Sequence, residues 1–361
     1  MKVAVLGVGL IGGSIGLAAR RRLDAEVSGF DARRESLDGA VEAGAIDSIA
    51  DSVAHACAGA DVVFCAAPVG ALPVLVAEAL AAAGSECVVT DVGSTKREIV
   101  AAAGDDERFI GGHPLAGAET AGIENARADL FDGARWYLTP TERSSGLLYD
   151  RLQRAVAELG ARPQAIDPDS HDRLMATISH LPHVLANVLA AQAADELTRD
   201  PGRLPEVGPS LRDTTRVAGA NPAIWGDIFA ANREAVADVV EAAAERLREA
   251  GRLIREGDRD DVAAWHAAAG AGRRALVEAE AGGGALREIR VRVPNRPGTV
   301  AELALALGRG GVNIEDMALY PAQDMSSGAI SLWVAGSGEA ERAAALVRGL
   351  GHSVSVVGQS G

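Results

Sequence analysis

A chain of 361 residues with 48% hydrophobic side chains has material for about two or three domains, each with a sizeable core. Its formal net charge of −15 excludes nucleic acid as a partner, since no basic stripe offsets phosphate repulsion. The first apolar run begins at residue 3 and is punctuated by glycine, and no uninterrupted stretch is long enough to span a bilayer, so the sequence reads as cytoplasmic, without signal peptide or membrane contact.

The N-terminus, Lys2-Val-Ala-Val-Leu-Gly7-Val-Gly9-Leu10-Ile11-Gly12-Gly13, is an apolar strand running into a glycine-rich turn and then a helix. This is a dinucleotide-binding fingerprint. Gly7 permits the tight turn, Gly9 lets a pyrophosphate approach the backbone, Gly12 lets the helix pack on the strand, and Leu10 and Ile11 open the helix whose N-terminus favours negative charge. A second strand ends in Asp31, about 20 residues on, where a carboxylate accepts the adenosine ribose hydroxyl and repels a 2′-phosphate; NAD is favoured over NADP, although Arg33 and Arg34 follow at once.

Strands are expected near 61–66, 86–91, 108–112, 134–139 and 161–166 with helices between most of them, giving an α/β, Rossmann-type doubly wound parallel sheet over residues 1–166. Ligands of such sheets bind beyond the carboxyl ends of the strands, where Asp91-Val-Gly-Ser94-Thr-Lys96 and Gly111-Gly-His113-Pro stand. Lysine occurs only at positions 2 and 96, which sets Lys96 apart from a random surface residue. Cys57, Cys65 and Cys87 lack a paired spacing and read as small core residues rather than disulfides or metal ligands.

From about residue 167 to 284 the pattern becomes helical: one helix to about Thr198, a second over 222–256 and a third over 259–281. Helices so long and alanine-rich predict an all-helical dimerisation domain that buries apolar faces in a homodimer. Gly282-Gly-Gly284 reads as a hinge, and 285–361 spells βαββαβ, a ferredoxin-like unit.

The motifs Gly-Gly-His113-Pro-Leu-Ala-Gly, Ser179-His180-Leu-Pro-His183, Asp213-Thr-Thr-Arg216 and Asn221-Pro-Ala-Ile-Trp225, in that order behind the fingerprint, resemble the prephenate and arogenate dehydrogenases of tyrosine biosynthesis. The segments Pro294-Asn295-Arg-Pro297-Gly298 and Gly311-Val-Asn313-Ile resemble an ACT-type regulatory domain. The resemblance implies oxidation of prephenate with loss of CO2 and NAD as cofactor. Its base would be His113, because an imidazole with a pKa of about 6.5 is mostly neutral at working pH. Ser94 would bind the same hydroxyl or orient the ring; capping the following helix is its bland alternative. Arg216 offers a planar fork for a substrate carboxylate. His183, Ser179, Glu119 and Trp225 would line the substrate pocket, Trp225 being equally readable as core. His180 reads as structural, and the two histidines lack a third partner for zinc. Ala118 stands where relatives often carry a hydroxyl.

In the C-terminal unit Asn295, Gly298 and Asn313 match effector-binding positions, with tyrosine as the expected effector. Arogenate dehydrogenase remains the nearest alternative, and a non-catalytic NAD and amino-acid sensor the one from another class. A β-hydroxyacid dehydrogenase would need a lysine in the helical domain, where this chain has none.

Overall fold

The computed structural model describes residues 1–116, 120–198, 208–281, 286–294, 296–322 and 327–357. The chain divides into two compact units, one comprising Met1–Asp172, Pro222–Ala231 and Ala285–Gly361, the other Arg173–Asn221 and Asn232–Gly284. The expected hinge at 282–284 lies outside the described residues.

In the first unit β1 (Lys2–Leu6), α1 (Leu10–Leu23), β2 (Glu26–Phe30), α2 (Arg34–Glu42), β3 (Ser48–Ile49), α3 (Val53–Cys57), β4 (Val62–Cys65), α4 (Leu72–Ala82) and β5 (Val88–Asp91) form a parallel five-stranded sheet in the order β3-β2-β1-β4-β5. Both faces are covered, as a parallel sheet requires. Val3, Val5, Val62 and Phe64 point into one core, and the alternate residues Ala4, Leu6, Val63 and Cys65 into the other. The three cysteines lie buried and unpaired, and burial pushes the thiols of Cys57 and Cys87 up to about 11 and about 12, so they serve as apolar filling.

After α5 (Arg97–Ala103) the expectation of a wholly parallel sheet fails. β6 (Gly111–Pro114) continues alongside β5, but β7 (Arg135–Thr139) runs antiparallel to it, and β8 (Arg162–Ala165), reached through α6 (Gly146–Glu158), is parallel to β7. The physical reason lies in the connections. The link from β6 to β7 has no α-helix among its described residues, only a short 3₁₀ turn at Ile123–Asn125, so the chain returns reversed, whereas a helical crossover restores parallel pairing after β7.

The helix beginning at residue 168 consists of α7 (Pro168–Met175), a π turn at Ala176–His180 and α8 (Leu181–Thr198). The π turn accommodates Pro182, which has no N–H for a regular helical bond. Contrary to the sequence expectation, the span Pro168–Glu196 is long and apolar enough to cross a membrane by length and composition. Beyond α9 (Pro209–Thr215), the single helix expected over 222–256 is two: α10 (Pro222–Ala231), which belongs to the first unit, and α11 (Arg233–Glu256), which with α12 (Arg259–Ala281) belongs to the second. The break falls at Asn232, whose ψ of 29° leaves the helical region and whose amide lies 3.2 Å from Nδ1 of His180.

The C-terminal segment folds as expected: β9 (Leu286–Pro294), α13 (Thr299–Arg309), β10 (Asp316–Pro321), β11 (Ser327–Ala335), α14 (Gly336–Gly349) and β12 (Ser353–Val356) give an antiparallel sheet of order β10-β11-β9-β12. It shares a core with the N-terminal part of the chain: Val300, Leu303 and Leu307 join the cluster that holds Leu148 and Leu152. Gly298 sits at the seam with φ +82°, donating its N–H to Ser144 O at 3.1 Å, and an added Cβ would come within 2.3 Å of Glu142 O. Gly298→Ala is therefore expected to destabilise the protein by more than the ~1–2 kcal/mol of a left-handed alanine. A thermal or urea midpoint equal to that of the parent protein would contradict this seam.

Candidate active site

The glycine turn between β1 and α1 forms a cradle. Gly7 has φ +99° and no room for a side chain, since a Cβ would lie 2.4 Å from Ala66 O; at Gly12 it would lie 1.8 Å from Gly7 O, so the helix packs directly on the turn. At Gly9, the N-cap of α1, the space around a Cβ is open. Leu10 and Ile11 begin the helix, whose first turn carries unpaired N–H groups and no acid to compete with an anion. Asp31 stands just past β2 with Oδ2 accepting from Val8 N at 3.0 Å and Oδ1 from Arg33 N at 2.8 Å. That fixes the carboxylate beside the turn. Arg34 pairs with Asp38, and Arg33 is largely exposed, 3.8 Å from Asp31. An open helix N-terminus with a pinned acid one strand away fits a dinucleotide and its ribose hydroxyls.

Beyond β5 and β6 the chain builds a polar corner inside the protein. Asp91, the last residue of β5, accepts Gly112 N at 3.0 Å and Gly93 N at 2.7 Å and pairs with the Lys96 ammonium, which also donates to Gly112 O at 2.6 Å. Both side chains of this ion pair are fully buried. Burial pulls the Lys96 pKa down, and the Asp91 charge opposes that pull. Asp172, on α7, reaches the start of α5 and accepts Lys96 N at 2.7 Å and Arg97 N at 3.0 Å. It thus supplies the cap that a residue at the N-terminus of α5 would normally provide. Ser94 is not that cap: its hydroxyl is buried with no hydrogen-bond partner, as is that of Thr95.

His113 lies on β6 next to Tyr137 of β7 and is nearly buried. Its Nδ1 is 2.9 Å from Nε2 of His171, whose Nδ1 is 2.8 Å from Asp172 Oδ1. His171 and Asp172 were not among the site residues expected from sequence. The one signal that could have pointed to them is a His-Asp pair early in a helix, and sequence carries no sign that it faces His113, 58 positions away.

In the second unit His183 is half-buried, and burial together with the nearby Arg216 charge lowers its pKa. Arg216, exposed, starts a 3₁₀ turn; Ser179 is half-buried in the π turn; His180 is buried against Asn232, a structural role. Trp225, on α10, is half-buried with its ring 5.3 Å from Phe229. Glu119 and Asn295 lie outside the described residues. Asn313 donates to Glu315 Oε1 at 2.7 Å, and its Oδ1 is buried without a partner. At Gly298, another of the expected effector positions, the N–H donates to Ser144 O, because the C-terminal segment packs on that turn.

Because Lys96 neutralises a buried carboxylate, Lys96→Met is expected to cost about 3–5 kcal/mol of stability, the penalty for an uncompensated buried charge. Denaturant unfolding that shows less than about 1 kcal/mol of loss would mean that the pair contributes little beyond a hydrophobic replacement.

Models of two protein families match adjoining stretches of the chain. Residues 15–164 match the nucleotide-binding domain of prephenate dehydrogenase, and residues 167–267 its dimerization domain. The chain is 28% identical to the prephenate dehydrogenase of Bacillus subtilis (strain 168), over 91% of each chain. It is 32% identical to that of Lactococcus lactis subsp. cremoris (strain MG1363), over 71% of this chain and 72% of the relative. The crystal structure of A. aeolicus prephenate dehydrogenase in complex with hydroxyphenyl propionate and NAD+ superimposes with a TM-score of 0.68 at 28% identity, covering 76% of this chain and 98% of that one.

Proposed function

Since the chain belongs to the prephenate dehydrogenase family, we propose that it catalyses the NAD-dependent oxidative decarboxylation of prephenate to 4-hydroxyphenylpyruvate. The observation that carries this reading is the buried histidine at the end of β6, held from behind by a second histidine and a carboxylate, in the same unit as the dinucleotide cradle.

When bound, NAD supplies the acceptor for the hydride from the carbinol carbon of the substrate. Gly7, Gly9, Leu10, Ile11 and Gly12 would hold its pyrophosphate and Asp31 its ribose. His113 takes the proton from the substrate hydroxyl, and Ser94, whose buried hydroxyl has no protein partner, hydrogen-bonds the same oxygen. By family resemblance Arg216 is assigned as the cation for a substrate carboxylate, with Ser179 and His183 as further polar contacts; burial and the Arg216 charge lower the His183 pKa, which favours the neutral ring. Glu119 and Trp225 are assigned to the same substrate by family resemblance. Loss of CO2 leaves an aromatic ring, which drives the reaction forward.

The exposed apolar residues Ile178, Leu185, Val188 and Leu189 would be buried in a homodimer. On that reading the apolar helix meets protein rather than lipid, as suits a cytoplasmic enzyme.

The C-terminal unit is read as an ACT-type regulatory domain that binds tyrosine. A small cavity where this segment meets Leu147 of α6 is lined also by Val293, Arg296, Thr299, Leu319 and Ile330, and the Thr299 hydroxyl is buried without a partner. An apolar cavity with a guanidinium and an unpaired hydroxyl suits an amino-acid carboxylate and its side chain.

Purified protein offered prephenate and arogenate, each with NAD and with NADP, should show reduced-cofactor absorbance most rapidly with prephenate and NAD. Preference for arogenate would transfer the assignment to the amino-acid analogue, and absence of turnover in all combinations would leave a sensor. Arg216→Ala should raise KM for prephenate but not for NAD, by about fivefold, equivalent to the ~1 kcal/mol of an ion pair made by an exposed guanidinium. A parallel rise in both constants would make Arg216 structural.

Tyrosine should inhibit the wild type, and Arg296→Ala should weaken that inhibition. By linkage, prephenate must change tyrosine affinity by the factor with which tyrosine changes prephenate affinity. Equal inhibition of both proteins with simple competition would place tyrosine at the active site instead.

A further inference from the structure

The hydrogen bonds behind His113 determine which of its nitrogens can act. Burial works against a charge on Asp172, but the His171 hydrogen bond and the backbone N–H groups of Arg97 and Lys96 hold its carboxyl below the usual range, so it is an ionised, acceptor-only group. The nitrogen facing it at 2.8 Å, Nδ1 of His171, must therefore carry a hydrogen. Burial, reinforced by the Lys96 charge, lowers the His171 pKa in spite of Asp172, and the ring stays neutral. A neutral imidazole with hydrogen on Nδ1 has a bare Nε2, which can only accept. At 2.9 Å from that Nε2 stands Nδ1 of His113, which must donate.

We propose that His171 and Asp172 are positioning residues that lock His113 in its Nδ1–H tautomer, leaving Nε2 as the basic nitrogen that takes the substrate hydroxyl proton. The inference rests on the reading of His113 as the base. In the step itself the hydroxyl O–H bond breaks, its electron pair stays on oxygen, and an N–H bond forms at Nε2. The imidazolium so created keeps its Nδ1–H on His171, and the Asp172 carboxylate behind that ring offsets its charge.

Other groups around His171 do not compete for this role. Tyr137 meets it edge to face at 5.7 Å between ring centres, and Lys96 and Asp91 neutralise each other. Asp172 also caps α5, so the carboxylate is anchored by the backbone that carries Ser94 and Lys96, and the relay and the loop after β5 keep a constant spacing.

Glutamine is the informative replacement for His171, because its amide can accept from His113 with oxygen and donate to Asp172 with nitrogen, whereas leucine can do neither. His171→Leu should lower kcat, by between about tenfold and the ~10⁴-fold that a wrong tautomer costs a serine-protease triad, with KM for prephenate and NAD affinity little changed. His171→Gln should recover most of that loss. If leucine retains kcat within about twofold, or if glutamine is no better than leucine, the hydrogen bonds are not what the site uses and the proposal falls.

Heteronuclear NMR of histidine-labelled wild-type protein requires no variant to fold. Hydrogen on Nδ1 and none on Nε2 of neutral His113 is expected, and the reverse tautomer would overturn the proposal. His113→Asn separates the two readings: near-normal turnover in that variant removes the base itself, whereas lost turnover with an Nε2–H tautomer in the wild type removes only the relay.

Discussion

A lysine and an aspartate buried together at the end of β5 set the geometry on which the candidate active site depends. Removing both charges from water is costly, and their attraction offsets that cost only where the remaining hydrogen-bonding capacity is also used. Here it is used: Asp91 takes two backbone N–H groups besides the ammonium, and Lys96 donates to the Gly112 carbonyl as well. The pair therefore clamps the loop after β5 to β6. Ser94 lies in that loop and His113 follows Gly112, so an electrostatic contact that touches no substrate fixes the origin of both side chains.

The corner is closed from a third direction by α7. One carboxylate, Asp172, serves α5 as a cap and His171 as a hydrogen-bond acceptor, joining segments 76 positions apart. A local serine or threonine cap would satisfy the helix N–H groups equally well. It would not bring a histidine to His113. Using a distant acid for the cap ties helix stability and the orientation of the proposed base to the same residue.

Around this corner the chain is arranged by ordinary burial. The parallel sheet presents alternate residues to two cores, and the C-terminal sheet and its helices extend one of these cores instead of forming an isolated module. Shared packing gives that unit a physical route to the nucleotide-binding part, which a module on a free linker would lack. In the helical unit the exposed side chains of α8 are the counterpart: apolar surface that one copy of the chain does not cover.

Several of these features depend only on local chemistry and so were legible in the sequence. The fingerprint at Gly7, Gly9 and Gly12 and the acid at Asp31 follow from turn sterics and spacing, the strands of the parallel sheet from short apolar runs, the βαββαβ order from periodicity, and the buried thiols from their apolar neighbours. The reversal of β7 was not legible, because it depends on how a connection with no α-helix among its described residues travels, nor was the break at Asn232, whose side chain meets His180 from 52 positions away. The same holds at the active site. His113 and Ser94 could be named from motif and position, but that Ser94 leaves the capping of α5 to Asp172, and that His171 stands behind His113, are contacts between residues remote in sequence. Periodicity and motif spacing report on neighbours along the chain; a hydrogen bond between distant segments exists only once packing has brought its two ends together.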